Sequence, residues 1–125
     1  MNAYALSRDA YTATHTFVRS PRSTERDAFL RVTDALEKGH AARKTRFPQY
    51  ATALHDNQRL WTVLGADVAD PDNGLPETLR ARVFYLSEFT RTQTRKALRG
   101  EADAIPLIEI NRAMIAGLAG RGDAT

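Results

Sequence analysis

The chain contains no cysteine, which removes disulfide stapling and thiolate chemistry and fits a reducing compartment. It holds no apolar run near the ~20 residues that a membrane span requires. Its opening, Met1-Asn2-Ala3-Tyr4-Ala5, has no basic stretch leading into an apolar block. A cytoplasmic protein without membrane insertion is therefore expected. Glycine-rich phosphate loops and nucleophile elbows are missing, and the three histidines, His15, His40 and His55, do not stand at metal-ligand spacing. No catalytic, metal or cofactor site is expected, so action by binding is anticipated rather than an enzyme. Alternation at strand period is missing too, as are internal repeats and low-complexity blocks.

What is present points to an all-α domain. The 125 residues suit one core, and a chain of this length buries roughly two-thirds of its unfolded surface. The net charge of +3 alternates in blocks of +4, −3, +4 and −2 over residues 1–50, 51–75, 76–100 and 101–125, whereas nucleic-acid binders usually gather basic residues on one face. Four of the five prolines stand where a first helical turn tolerates a missing N–H: Pro21, Pro48, Pro76 and Pro106. Together with the turn-forming Pro71-Asp72-Asn73-Gly74, they predict a compact bundle of about five helices, near 3–18, 22–45, 48–69, 76–98 and 106–118. The whole chain, 1–125, is expected to be one domain with a loosely held first helix and a frayed end over 119–125.

Helical spacing assigns the faces. The first segment has only a narrow stripe of Leu6, Ala10, Ala13 and Phe17. The second predicts a core face of Phe29, Val32 and Leu36, flanked by Ala28 and Ala35. The third aligns Tyr50, Leu54, Trp61, Leu64 and Val68, with Gly65 allowing a neighbour to approach. The fourth turns Leu79, Val83, Leu86 and Phe89 inward, which leaves Phe84 on the opposite side near Arg80, Arg91 and Arg95. The fifth carries a wide arc of Leu107, Ile108, Ile110, Met114, Ile115 and Leu118.

Two asparagines interrupt these apolar faces, Asn57 on the third helix and Asn111 on the last. Amides satisfied inside the fold are the favoured reading, because an unpaired buried amide costs roughly 1–3 kcal/mol. The alternative is that they fix helix register or meet a partner's backbone. The pair His55-Asp56 is read as solvated surface, since adjacent helical residues point about 100° apart. Arg91, Arg95, Lys96 and Arg99 close the fourth helix, and Arg43, Lys44 and Arg46 close the second. Compensation of the helix dipole explains such clusters, and a partner-binding role shared with the outward Phe84 stays open beside it.

Several short pieces in fixed order carry a resemblance: Asn2-Ala3-Tyr4; Ser20-Pro21-Arg22 with Glu25; Asp56-Asn57-Gln58-Arg59-Leu60-Trp61; Asn73-Gly74-Leu75-Pro76; Leu79-Arg80-Ala81. The most specific is Pro106-Leu107-Ile108-Glu109-Ile110-Asn111-Arg112, followed by Met114, Ile115, Gly117 and Leu118. Nearly the whole chain resembles the FlaF family of flagellar biosynthesis regulators, with Met114-Ile115 in reversed order relative to that family. The resemblance implies a cytoplasmic, non-enzymatic bacterial protein that controls flagellin production and supports flagellin secretion, with flagellin and FlbT as partners.

A helical scaffold can cover an amphipathic flagellin segment in a groove. The arc of the last helix and the aromatic side of the third are expected to form it, with basic residues of the fourth at the rim. The partner-binding candidates are accordingly Asn57, Trp61, Phe84, Arg91, Arg95, Ile108, Asn111 and Ile115. The basic helix ends and Phe84 also support an alternative, an RNA-binding post-transcriptional regulator of flagellin expression. A third reading is a purely structural interaction module without a flagellin partner.

Overall fold

The structure is a computed structural model that describes residues 22–124, with side chains over 26–117. These residues form four helices: α1 Arg22–Ala41, α2 Phe47–Ala69, α3 Glu77–Leu98 and α4 Ile105–Ala124. They are arranged as an all-helical bundle. That is one helix fewer than the sequence predicts, and the expected first helix over 3–18 lies outside the described residues. Among the described residues no helix is long and apolar enough to cross a membrane.

Helix α2 is the hub, packing on α1 along one side and on α3 along the other. Helix α4 lies against α1 and touches α3 only sparingly. All five aligned residues of α2 (Tyr50, Leu54, Trp61, Leu64 and Val68) are buried, so its periodicity was a true record of its environment. The interior divides into two clusters. One gathers Phe29, Trp61, Leu64, Val68 and Val83. The other gathers Leu36, Tyr50, Ala53, Leu54, Ala97, Ala104 and Leu107. Helix α4 serves both: Ile108 packs on the second cluster, and Ile110, Met114 and Ile115 pack on the first.

The connections account for the helix ends. Helix α1 stops at Ala41, four residues before the predicted boundary, because residues 42–45 form a turn that returns the chain to α2. Arg43 folds back and donates to the carbonyl of His40 at 2.8 Å, satisfying one of the acceptors that a helix terminus leaves open. The basic cluster therefore belongs to this turn rather than to the helix itself. Between α2 and α3, the Asp70 carboxylate accepts the Asp72 N–H and the Asn73 side-chain oxygen accepts the Leu75 N–H, both at 2.9 Å, the local bonding that makes these residues turn formers.

Helix α3 ends on Gly100, whose φ of +78° is a conformation glycine adopts without steric cost. The Glu101 N–H reaches the Lys96 carbonyl at 2.8 Å and the Gly100 N–H reaches Ala97 at 3.1 Å, the paired bonds of a Schellman stop. The Asp103 carboxylate then accepts the Ile105 N–H at 2.9 Å and opens α4. That helix continues to Ala124 rather than ending near 118. Its late glycines each cost only about 1 kcal/mol relative to alanine, and no proline follows to stop it.

The inner face of α3 differs from expectation. Of Leu79, Val83, Leu86 and Phe89, only Val83 is fully buried. The deepest line instead runs through Val83, Ser87, Thr90, Thr94 and Ala97. Small hydroxyl residues can line a helix contact when they bond to backbone: Thr90 donates to the Leu86 carbonyl at 2.8 Å and Ser87 to the Trp61 carbonyl at 2.9 Å. The bulkier leucines and Phe89 flank this seam. Gly65 is the complement of Ser87, because a Cβ at Gly65 would stand 2.5 Å from the Ser87 hydroxyl oxygen.

Candidate functional site

The eight partner-binding candidates separate into an inner group and an outer group. Asn57, Trp61 and Asn111 are each 0% exposed and are joined in a relay. The Trp61 indole N–H donates to the Asn111 side-chain oxygen at 2.9 Å, and the Asn111 amide donates to the Asn57 side-chain oxygen at 2.7 Å. An indole nitrogen can only donate, so Asn111 must turn its oxygen to Trp61 and its NH2 to Asn57, and Asn57 must answer with oxygen. One donor fixes the orientation of both amides. The sequence placed both asparagines in the interior, and the structure adds that they meet each other across α2 and α4. The amide nitrogen of Asn57 stays buried without a bonding partner.

The structure turns Asn57, Trp61 and Asn111 inward, where they bond to one another rather than stand on the surface. The same holds for the groove expected between the arc of α4 and the aromatic side of α2. Side chains of those two faces meet inside the bundle in a cluster shared with Phe29 of α1, and the Phe29 and Trp61 rings stand edge to face at 5.7 Å. Ile108 and Ile115 are half-buried in the flanks of this packing and offer little area.

The outer group lies on α3. Phe84 is 45% exposed. At about 100° per residue, Phe84, Glu88, Arg91 and Arg95 fall on one stripe of the helix. Arg91 pairs with Glu88 at 3.3 Å, and Arg95 enters no ion pair among the described residues. Tyr85, at 66% the most exposed large hydrophobic residue among those described, stands beside Phe84 and was missed by the sequence reading. It lies two residues from the inward Val83, about 200° around the helix, and that angle was the available signal.

Other candidates do not assemble. His55 is exposed, and its neighbour Asp56 turns to Arg59 at 3.5 Å. His15 lies outside the described residues. At the end of α3, Arg99 and Glu101 make a two-pronged pair, both contacts at 3.0 Å. This pairing holds the Glu101 carboxyl below its ordinary range and raises the Arg99 guanidinium. Part of the basic charge at this helix end is thus neutralised locally.

No curated protein and no solved structure gives a significant match to the chain. The family model described as Flagellar protein FlaF matches residues 7–118, nearly its whole length, and this chain belongs to the FlaF family.

Proposed function

We propose that this flagellar protein acts in the cytoplasm as a regulator that binds flagellin, supports its secretion and controls flagellin production beside FlbT, working by binding and not by catalysis. The observation that carries this reading is the outward face of α3. Phe84 and Tyr85 leave two large aromatic surfaces uncovered, with Arg91 and Arg95 continuing the stripe. Exposed aromatic and arginine side chains are the types that anchor protein interfaces, and a continuous helix presents them rigidly. The face replaces the α2 and α4 groove as the surface that would receive an amphipathic flagellin segment.

Calorimetry of the purified protein with flagellin tests it. A defined complex at micromolar concentration is expected, weakened at least about tenfold by Phe84→Ser with Tyr85→Ser, which corresponds to about 1.4 kcal/mol. No heat of binding at those concentrations removes direct chaperoning. The RNA-binding reading has one specific observation behind it: Arg95 and Lys96 enter no ion pair among the described residues, and the Phe84 ring is free to stack. It requires affinity that falls steeply with salt. The local pairing of Arg91 and Arg99 weighs against it, and a flagellin complex that persists in moderately high salt favours protein recognition.

A further inference from the structure

A cleft of about 340 Å³ opens at the end of the bundle where the α1–α2 turn meets the α3–α4 connection. Its walls include Arg43, Phe47, Tyr50, Ala97, Glu101 and Asp103. Tyr50 is 2% exposed, and its hydroxyl makes no hydrogen bond. The adjoining His40 ring, centred 6.1 Å from that of Tyr50, likewise leaves its Nδ1 buried without a partner. Buried polar groups are almost always bonded, and of the unbonded ones among the described residues Tyr50 is the one that lines this cleft, with His40 next to it.

The charges lining the cleft are unequal in what they leave available. Both oxygens of the Glu101 carboxylate are taken by Arg99. The Asp103 carboxylate accepts the Ile105 N–H at the first turn of α4, where the helix dipole offsets negative charge. Arg43 enters no ion pair among the described residues. Its NH1 is anchored on the His40 carbonyl, and a guanidinium has five N–H donors, so most of its bonding capacity is unspent. Phe47, 45% exposed and edge-on to Tyr50 at 5.9 Å, adds an apolar wall. A volume near the lower end of ligand sites, roughly 300–1,000 Å³, suits one residue of a polypeptide better than a whole cofactor.

We propose that this cleft binds a carboxylate carried by a polypeptide, with Arg43 as its counter-ion and with the Tyr50 hydroxyl, which is covered in this conformation, as a second donor once the entering group uncovers it. The carboxylate is either a chain end or an acidic side chain. The proposal rests on the cleft and not on the flagellin reading, and its test uses small probes, so either can fail alone. Amide shifts of the labelled protein are followed by NMR during titration with N-acetyl-leucine, whose carboxylate is terminal, with N-acetyl-glutamic acid N-methylamide, whose only carboxylate is on the side chain, and with uncharged N-acetyl-leucinamide.

At least one carboxylate probe is expected to shift Tyr50, Gly100 and Ala102 with a Kd on the order of millimolar, as befits a ligand of few atoms, and the tighter of the two names the source. Arg43→Gln should weaken binding at least about tenfold and Tyr50→Phe several-fold, while Lys44→Gln, beside Arg43 but outside the cleft, should leave it unchanged. Equal binding of the uncharged amide, titration of Arg43→Gln like the native chain, or no shift at tens of millimolar would each overturn the proposal. If Arg43→Gln does not fold, the charged and uncharged probes on the native protein still decide it.

Discussion

The two halves of the interior treat their largest aromatic residue in opposite ways. Around Trp61 the polar atom of the ring is supplied with a partner, and that partner with another, so a donor at the centre of the bundle is answered by the Asn111–Asn57 relay. Around Tyr50 the ring is buried as deeply, yet its hydroxyl is left without a bond beside a cleft. The first arrangement sets how α2 and α4 face each other, since a one-residue slip of either helix would strand the indole. The second keeps a polar group unbonded at a site open to a guest. Stability and recognition thus make different demands on the same kind of residue.

The comparison breaks most visibly at Trp61. Trp61→Ala should lose about 3–5 kcal/mol, the usual cost of emptying a large aromatic site, read as a shift of the urea midpoint. Next comes Asn111→Leu, which strands the Trp61 donor and the Asn57 oxygen at roughly 1–3 kcal/mol each. A loss of about 3 kcal/mol is expected, and a variant as stable as the native chain would show that the relay does not hold the helices in register. Gly65→Ala should cost about 2 kcal/mol through overpacking against Ser87, and Ser87→Ala in the same chain should recover part of it by removing the nearer atom.

The smallest effect belongs to the other half. Tyr50→Phe deletes an unbonded hydroxyl and should change stability at neutral pH by less than about 1 kcal/mol, with a gain more natural than a loss. A larger signature appears in alkali. Burial pushes the Tyr50 phenol above its ordinary value of 10.0; Arg43 opposes this and Asp103 adds to it. A folded value higher than the unfolded one gives stability that is complete below pH 10.0 and lost as pH rises through the folded value. Thermal melts from pH 9 to 11 should therefore decline more steeply for the native chain than for Tyr50→Phe. Parallel declines would assign the alkaline loss to other groups.

Much of the architecture was legible because backbone chemistry punctuates it. Prolines 48, 76 and 106 mark helix starts to within one residue, and the steps from Tyr50 to Val68 record a buried face that depends on residue type alone. The α3 seam was illegible for a physical reason. Ser87 and Thr90 read as surface residues until their hydroxyls have backbone carbonyls to meet, and for Ser87 that carbonyl belongs to another helix; Thr94 is buried on the same seam with its hydroxyl unbonded. The two asparagines were readable as interior amides, but their mutual bond depends on how packing against α1 sets α4 opposite α2, which no single helix encodes. Phe84 was visible from its angle; Tyr85 was equally so and was passed over. The cleft was invisible because Arg43, Tyr50 and Asp103 come from segments that only tertiary packing assembles.

The chain holds one tryptophan, and it lies fully inside the bundle with its indole N–H bonded to Asn111. Its fluorescence is consequently a built-in gauge of the interior, blue-shifted while the helices stay closed and moving to longer wavelength when solvent enters. A guest that rests on the outside of α3 leaves that colour unchanged, whereas one that pries α4 from α2 reddens it. A single emission spectrum taken during complex formation therefore distinguishes docking on the surface from insertion into the fold.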